Sequence, residues 1–197
     1  VVSDHGKALR MFDVQISSFV PRGRVGRTGR TAPALLLFGL AALTVICLVS
    51  TKPVLLLNRT PSEPPGFYIL TARAPARGDV IAFKTPAPAF PYADEGMDYL
   101  HHRPLLKAVA ADAGDQVCTT AGELVVNGVA RAPIAAVDHR NRALPHWVGC
   151  RRLNAGELFV FSARVPNSFD SRYYGPVRLG DVLGVYELVA PIAPEAG

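Results

Sequence analysis

The sequence predicts a mainly β domain carried behind one N-terminal membrane helix. Residues 31–51 contain no charged side chain and read as one apolar run. The 17 prolines and 17 glycines argue against an all-helical fold. Beyond residue 66, short apolar runs recur between turn signals, the pattern of a β-barrel or sandwich. A chain of 197 residues has room for one anchor and one domain of ordinary size.

Residues 1–30 are polar and rich in Gly and Arg, and are expected to form a basic cytoplasmic tail. Met11 is an alternative start, so no function is expected before it. The formal net charge of +5 rests mostly on Arg22, Arg24, Arg27 and Arg30. No aromatic side chain interleaves with them, which argues against nucleic acid as a partner.

The run at residues 31–51 is long enough to cross a bilayer, for which about 20 apolar residues suffice. A cleavable signal peptide is the rival reading. This core is long for one, however, and no small-x-small cleavage site precedes Lys52. Lys7, Arg10 and the arginine cluster lie before the span, against Lys52 and Arg59 just after it. That excess orients the chain with its N-terminus in the cytoplasm and the residues after Lys52 outside, as a domain over 53–190 and a short tail over 191–197.

Residues 58–68 carry Pro61, Pro64 and Pro65. Proline fixes φ and lacks an N–H, so this stretch can be neither helix nor central strand. It is expected to be a stiff loop that holds Ser62 out beside the membrane. Ser62 is either a turn residue, the commoner fate of such a serine, or a nucleophile. Strands are expected at 67–70, 80–83, 105–110, 116–118, 123–126, 158–161 and 182–189. Gly78 and Asp79 mark a turn, as do Gly114 and Asp115, and residues 85–91 form a proline-rich loop. Asn127-Gly128 supplies the positive φ that a tight hairpin turn needs.

Cys47 falls in the span, where it acts as a small apolar residue. Cys118 and Cys150 both fall beyond it, where an oxidising compartment would let them pair; two separate buried thiols are the alternative. The 5 histidines show no ligand spacing with these cysteines, so no metal site is expected. No Gly-rich phosphate loop is present, and no cofactor is expected.

Two stretches could carry chemistry. Lys107 stands alone in an apolar strand. Alternation can point it to solvent, or the strand can bury it, and burial would depress its pKa and make it a general base. Residues 166–176 concentrate hydroxyl, amide, carboxylate and guanidinium groups between two strands. They are either a self-bonded loop or part of a site.

Taken together these segments resemble a known family. Ser62, Pro64, Gly66 and Tyr68 match the Ser-x-Pro-x-Gly-x-Tyr box of the conjugative-transfer signal peptidases, the TraF type within the type I signal peptidase family. Residues 78–83 resemble the strand that follows the nucleophile in that family. Residues 106–115 resemble its general-base box, and Asn167, Ser168, Asp170, Ser171, Arg172 and Gly175 its last box. The four occur in family order behind a span and cover about residues 53–189. Glu63-Pro64 follows Ser62 where leader-processing members usually show Ser-Met, which favours the conjugation type.

The resemblance implies a signal-peptidase-like β domain with a Ser/Lys dyad. Ser62 would be the nucleophile and Lys107 the base. The Ser62 N–H and the Thr60 hydroxyl would hold the oxyanion. Ser168 would orient the amine, with Asp170 and Arg172 in support. It implies an extended precursor polypeptide as substrate, a pilin precursor or a signal peptide, with conjugative or type IV secretion components as partners. A general type I signal peptidase and a non-catalytic membrane-anchored assembly protein are the alternatives.

Overall fold

The computed structural model describes residues 52–193, together with Leu37 and Gly39. The expected basic tail and the rest of the expected span therefore lie outside the described residues. Among those described, no helix is long and apolar enough to cross a membrane.

The fold is mainly β. The strands, in chain order, are β1 (Leu55–Asn58), β2 (Gly66–Leu70), β3 (Val80–Phe83), β4 (Leu105–Ala111), β5 (Gln116–Cys118) and β6 (Glu123–Val126). They continue as β7 (Val129–Pro133), β8 (Cys150–Arg152), β9 (Glu157–Val160), β10 (Val177–Arg178) and β11 (Val182–Pro191). Seven form one sheet in the order β1-β2-β11-β3-β4-β9-β10, and four form another in the order β7-β6-β5-β8. All named pairings are antiparallel. Among the described residues neither sheet closes on itself, so both are open sheets.

β3 is central, and its Ile81, Ala82 and Phe83 are all buried, one face against each of two apolar clusters. Ile81 and Phe83 join Val109, Val160, Val177 and Val185, while Ala82 packs with Tyr68 and Tyr186. A third cluster lies under the smaller sheet, where Val117, Leu124 and Val126 meet Ala111 and Phe159 of the larger one. Cys118 and Cys150, opposite each other on β5 and β8, form a disulfide.

Strands β1, β8 and β10 were not expected. β1 is four residues long, with only Leu55, Leu56 and Leu57 before Asn58 and no alternation to mark it, and the other two are too short and too polar to show alternation. The hairpin of β1 and β2 closes at the pair Asn58 and Gly66, leaving residues 59–65 as its loop. Gly66 is needed there, because at its φ of +156° a Cβ would lie 2.5 Å from the Ala190 carbonyl oxygen of β11.

Candidate active site

The proline-rich loop is built around one amide side chain. Three prolines remove donors from residues 59–65, so the carbonyls there have few internal partners. Asn58 supplies the missing N–H groups. Its Nδ2 donates to the carbonyls of Thr60 at 3.0 Å, Glu63 at 3.0 Å and Pro64 at 3.2 Å, and its Oδ1 accepts from the Thr60 N–H at 3.1 Å. The Tyr68 hydroxyl donates to the Pro64 carbonyl at 2.8 Å. Outside the hairpin, Ser162 Oγ donates to the Ser62 carbonyl and Arg164 Nε to that of Pro61.

This bracing corrects one expectation. Ser62 is not held outward: it is only 6% exposed. It lines a cleft of about 800 Å³ together with Thr60, Lys107, Ser168 and Phe169.

Lys107 reaches that cleft through strand register. In β4, Lys107, Val109 and Ala111 share the buried face, and Lys107 lies opposite Ile81 of β3. Of the two readings open from alternation, the structure shows the inward one, with Lys107 4% exposed. The pairing of β4 with β9 begins only at Val109, so beside Lys107 the neighbouring chain is already a loop. That loop brings Ser168 to the amine, and Lys107 Nζ donates to Ser168 Oγ at 3.0 Å. Burial pulls the Lys107 pKa down to about 8; Asp170 and Glu63 work against this, and Arg172 works with it.

Behind Ser168 lies a buried ion pair. Arg172 donates from Nε to Asp170 Oδ1 at 2.8 Å and from its Nη2 to Asp170 Oδ2 at 2.9 Å. The same nitrogen reaches the Ser168 carbonyl at 3.0 Å, and Nη1 reaches that of Pro133 at 2.9 Å. Asp170 is fully buried and Arg172 is 1% exposed. Asp170 also caps the single helical turn Ser171–Tyr174, and accepts from the Ser162 N–H at 3.3 Å. The pair therefore fixes the backbone that carries Ser168 and ties it to the residue that braces Ser62.

Thr60 is close to the nucleophile candidate, its Oγ1 lying 3.4 Å from Ser62 Oγ. Its proton is engaged, since Oγ1 donates to Asn58 Oδ1 at 2.7 Å. Cys118 and Cys150 lie on the smaller sheet and do not line the cleft. Among the described residues no cluster of His, Cys, Asp and Glu could hold a metal ion.

Two residues of the site carry no sign of that role in the sequence. Ser162 gives no local signal, since its partner is 100 residues away. Glu63 occupies the first unspecified position of the serine box, yet it is 5% exposed and accepts from the Ala108 N–H at 2.8 Å.

A hydroxyl and a neutral-prone amine in one cleft, with the amine held by a second hydroxyl, can perform acyl transfer. Comparison with known proteins points the same way. Residues 29–190 match the profile of signal peptidase, peptidase S26. A conjugal transfer protein TraF of Agrobacterium fabrum is 32% identical over 148 residues, spanning 70% of this chain and 82% of that protein. A probable conjugal transfer protein TraF of Sinorhizobium fredii is 27% identical over 174 residues, 81% of this chain and 91% of that one. A crystal structure of a signal peptidase I from Enterococcus faecalis is 23% identical, and the match covers 58% of this chain and 98% of that one at a TM-score of 0.35. Profile and relatives agree: the chain belongs to the signal peptidase family, peptidase S26, in its TraF type.

Proposed function

We propose that this chain is a membrane-anchored serine endopeptidase in which Ser62 is the nucleophile and Lys107 the general base. The observation that carries this reading is the buried Lys107 amine. It lines the same cleft as Ser62 and is held by Ser168, and burial brings its pKa down to about 8. In the proposed step Ser62 Oγ attacks the scissile carbonyl and its proton passes to neutral Lys107. The Ser62 N–H and the Thr60 hydroxyl receive the oxyanion. The lysine then protonates the leaving amine, giving an acyl-enzyme. Water resolves it, or the amino terminus of the same precursor does, which yields a cyclic product.

The proposed substrate is the precursor of a conjugative pilin, an extended polypeptide with small residues near the cleaved bond. The names of the relatives, both conjugal transfer proteins, support this over general signal-peptide processing. The proposed address is a bacterial inner membrane, with residues 53–190 in the periplasm beside the conjugative secretion components. The paired Cys118 and Cys150 are compatible with such an oxidising compartment.

The test is processing of a cognate pilin precursor by the full chain in membranes. Ser62→Ala and Lys107→Ala are each expected to abolish it with membrane insertion intact. Normal turnover by Lys107→Ala would sink the dyad. Equal cleavage of ordinary exported preproteins would turn the reading to a general signal peptidase.

A further inference from the structure

Among the described residues two buried acids adjoin the site; Asp170 is paired with Arg172, and Glu63 has no part in the mechanism above. It follows Ser62 directly, and its partner, Ala108, follows Lys107 directly. The reason lies in where β9 ends. In a strand, the N–H and C=O of one residue point to the same side. The Ala108 carbonyl accepts from the Phe161 N–H at 3.1 Å, so its own N–H also faces the β9 side. β9 stops at Val160, and the carboxylate of Glu63 takes the place where a ladder carbonyl would have stood. A carboxylate on a backbone N–H is a charge-assisted bond, stronger than the neutral bond it replaces.

The other braces of the nucleophile loop run elsewhere. Asn58 ties the loop to itself, while Ser162 and Arg164 tie it to the chain beyond β9. Glu63 alone among these reaches the strand that carries the lysine. Burial pushes its carboxyl above the ordinary range, while the Ala108 N–H, Lys107 and Arg164 pull it back, which agrees with an acid held dry beside two cations.

We propose that Glu63 is a positioning residue of the dyad: seated on the Ala108 N–H, its side chain sets the distance between the loop that carries Ser62 and the strand that carries Lys107. The inference rests on the dyad reading above. A misplacement of about 1 Å between reacting groups can cost about 10²-fold in rate, so one such stitch matters.

Reach and charge separate in two substitutions. Glu63→Gln keeps the length and an acceptor oxygen but loses the charge. Glu63→Asp keeps the charge and is one methylene too short. The readout is the acylation rate of Ser62 by a lactam-type serine probe, on the full chain in detergent, with probe affinity measured separately. Glu63→Asp and Glu63→Ala are expected to lose about tenfold to a hundredfold in acylation rate constant with affinity little changed. Glu63→Gln is expected to stay nearest the unsubstituted rate. Should Glu63→Ala fail to accumulate, the order of Gln and Asp still decides. Asp at or above Gln, or three variants equal to the unsubstituted chain, overturns the positioning role while leaving the dyad standing. No labelling of the unsubstituted chain, or equal labelling of Ser62→Ala, overturns the dyad and the inference with it.

Discussion

Lys107 Nζ donates to Ser168 Oγ at 3.0 Å, at a point where β9, one of the two partner strands of β4, has ended and a loop has taken its place. The bond holds the amine of a residue that is only 4% exposed. In the proposed dyad only the neutral amine can take a proton from Ser62, so kcat/KM should rise with pH through about 8, the value to which burial brings Lys107. Below that pH the rate should fall about tenfold per pH unit. Precursor cleavage measured across the range checks this, and a rising limb centred near 10.5 would remove Lys107 from the role of base. Ser168→Ala should lower kcat by about 10–100-fold with KM little changed, because the amine is no longer aimed.

The same burial has a cost in stability. The Lys107 pKa is about 8 in the folded chain against an ordinary 10.5. Between those values the unfolded chain binds a proton that the folded chain does not, so stability rises with pH across that window. Below pH 8 the full penalty is present, on the order of 3 kcal/mol at most. Lys107→Met is therefore expected to be inactive yet more stable than the parent at pH 7. The gain should fade as pH passes 10.5, by thermal unfolding in detergent. Equal melting at both pH values would mean that the amine carries no such penalty.

Much of this site could be read from the chain, and the part that could not has a physical reason. The serine box stands out because three prolines around one serine make any helix or central strand impossible. Asp170 and Arg172 stand two residues apart with opposite charge, so their pairing was open to expectation. Lys107 was ambiguous because alternation gives two faces and does not say which is dry. That choice is made by Ile81 on the neighbouring strand and by the early end of β9. Glu63 and Ser162 could not be found, since the partners they meet are 45 and 100 residues away. β8 and β10 are three and two residues long, too short for any period to appear.

Asp170 and Arg172 are expected to matter first for folding. Asp170→Ala strands a buried guanidinium and should cost about 3–5 kcal/mol. Replacing both, with Asp170→Ala and Arg172→Met together, should cost less than the single change, since an apolar pair replaces an uncompensated charge. Denaturant unfolding of Asp170→Ala, Arg172→Met and the double variant against the parent makes a double-mutant cycle that measures this coupling. Asp170→Asn tests a separate effect. Asp170 is the largest influence holding the Lys107 pKa up, so its neutral analogue should move the rising limb of the pH profile to lower pH. An unmoved limb with kcat sharply lowered would make Asp170 a direct participant instead.

The disulfide should serve stability and not catalysis. Cys118 and Cys150 join β5 to β8 across a separation of 32 residues, in the sheet that does not line the cleft. Replacing both by Ala should cost roughly 2–4 kcal/mol of stability, and leave the acylation rate of folded protein unchanged. A large fall in that rate at a temperature where the variant stays folded would couple the smaller sheet to the site.

Thr60 presents the last choice. Its hydroxyl gives its proton to Asn58 Oδ1 at 2.7 Å, so in the resting site it faces Ser62 Oγ, at 3.4 Å, as an acceptor. To serve the oxyanion it must turn that proton away from Asn58 as negative charge develops. Asn58 Oδ1 still keeps the Thr60 N–H at 3.1 Å, so the loop need not open when the hydroxyl turns. The switch trades a neutral hydrogen bond for a charge-assisted one, which favours the transition state over the bound substrate. Thr60→Val keeps the shape and removes only the hydroxyl. It should lower kcat by about 10²-fold with KM nearly unchanged, the loss expected for one oxyanion donor. Thr60→Ser, which retains the proton, should recover most of that rate. A Thr60→Val enzyme with normal kcat would leave the oxyanion to backbone donors and give Thr60 only the task of bracing the loop.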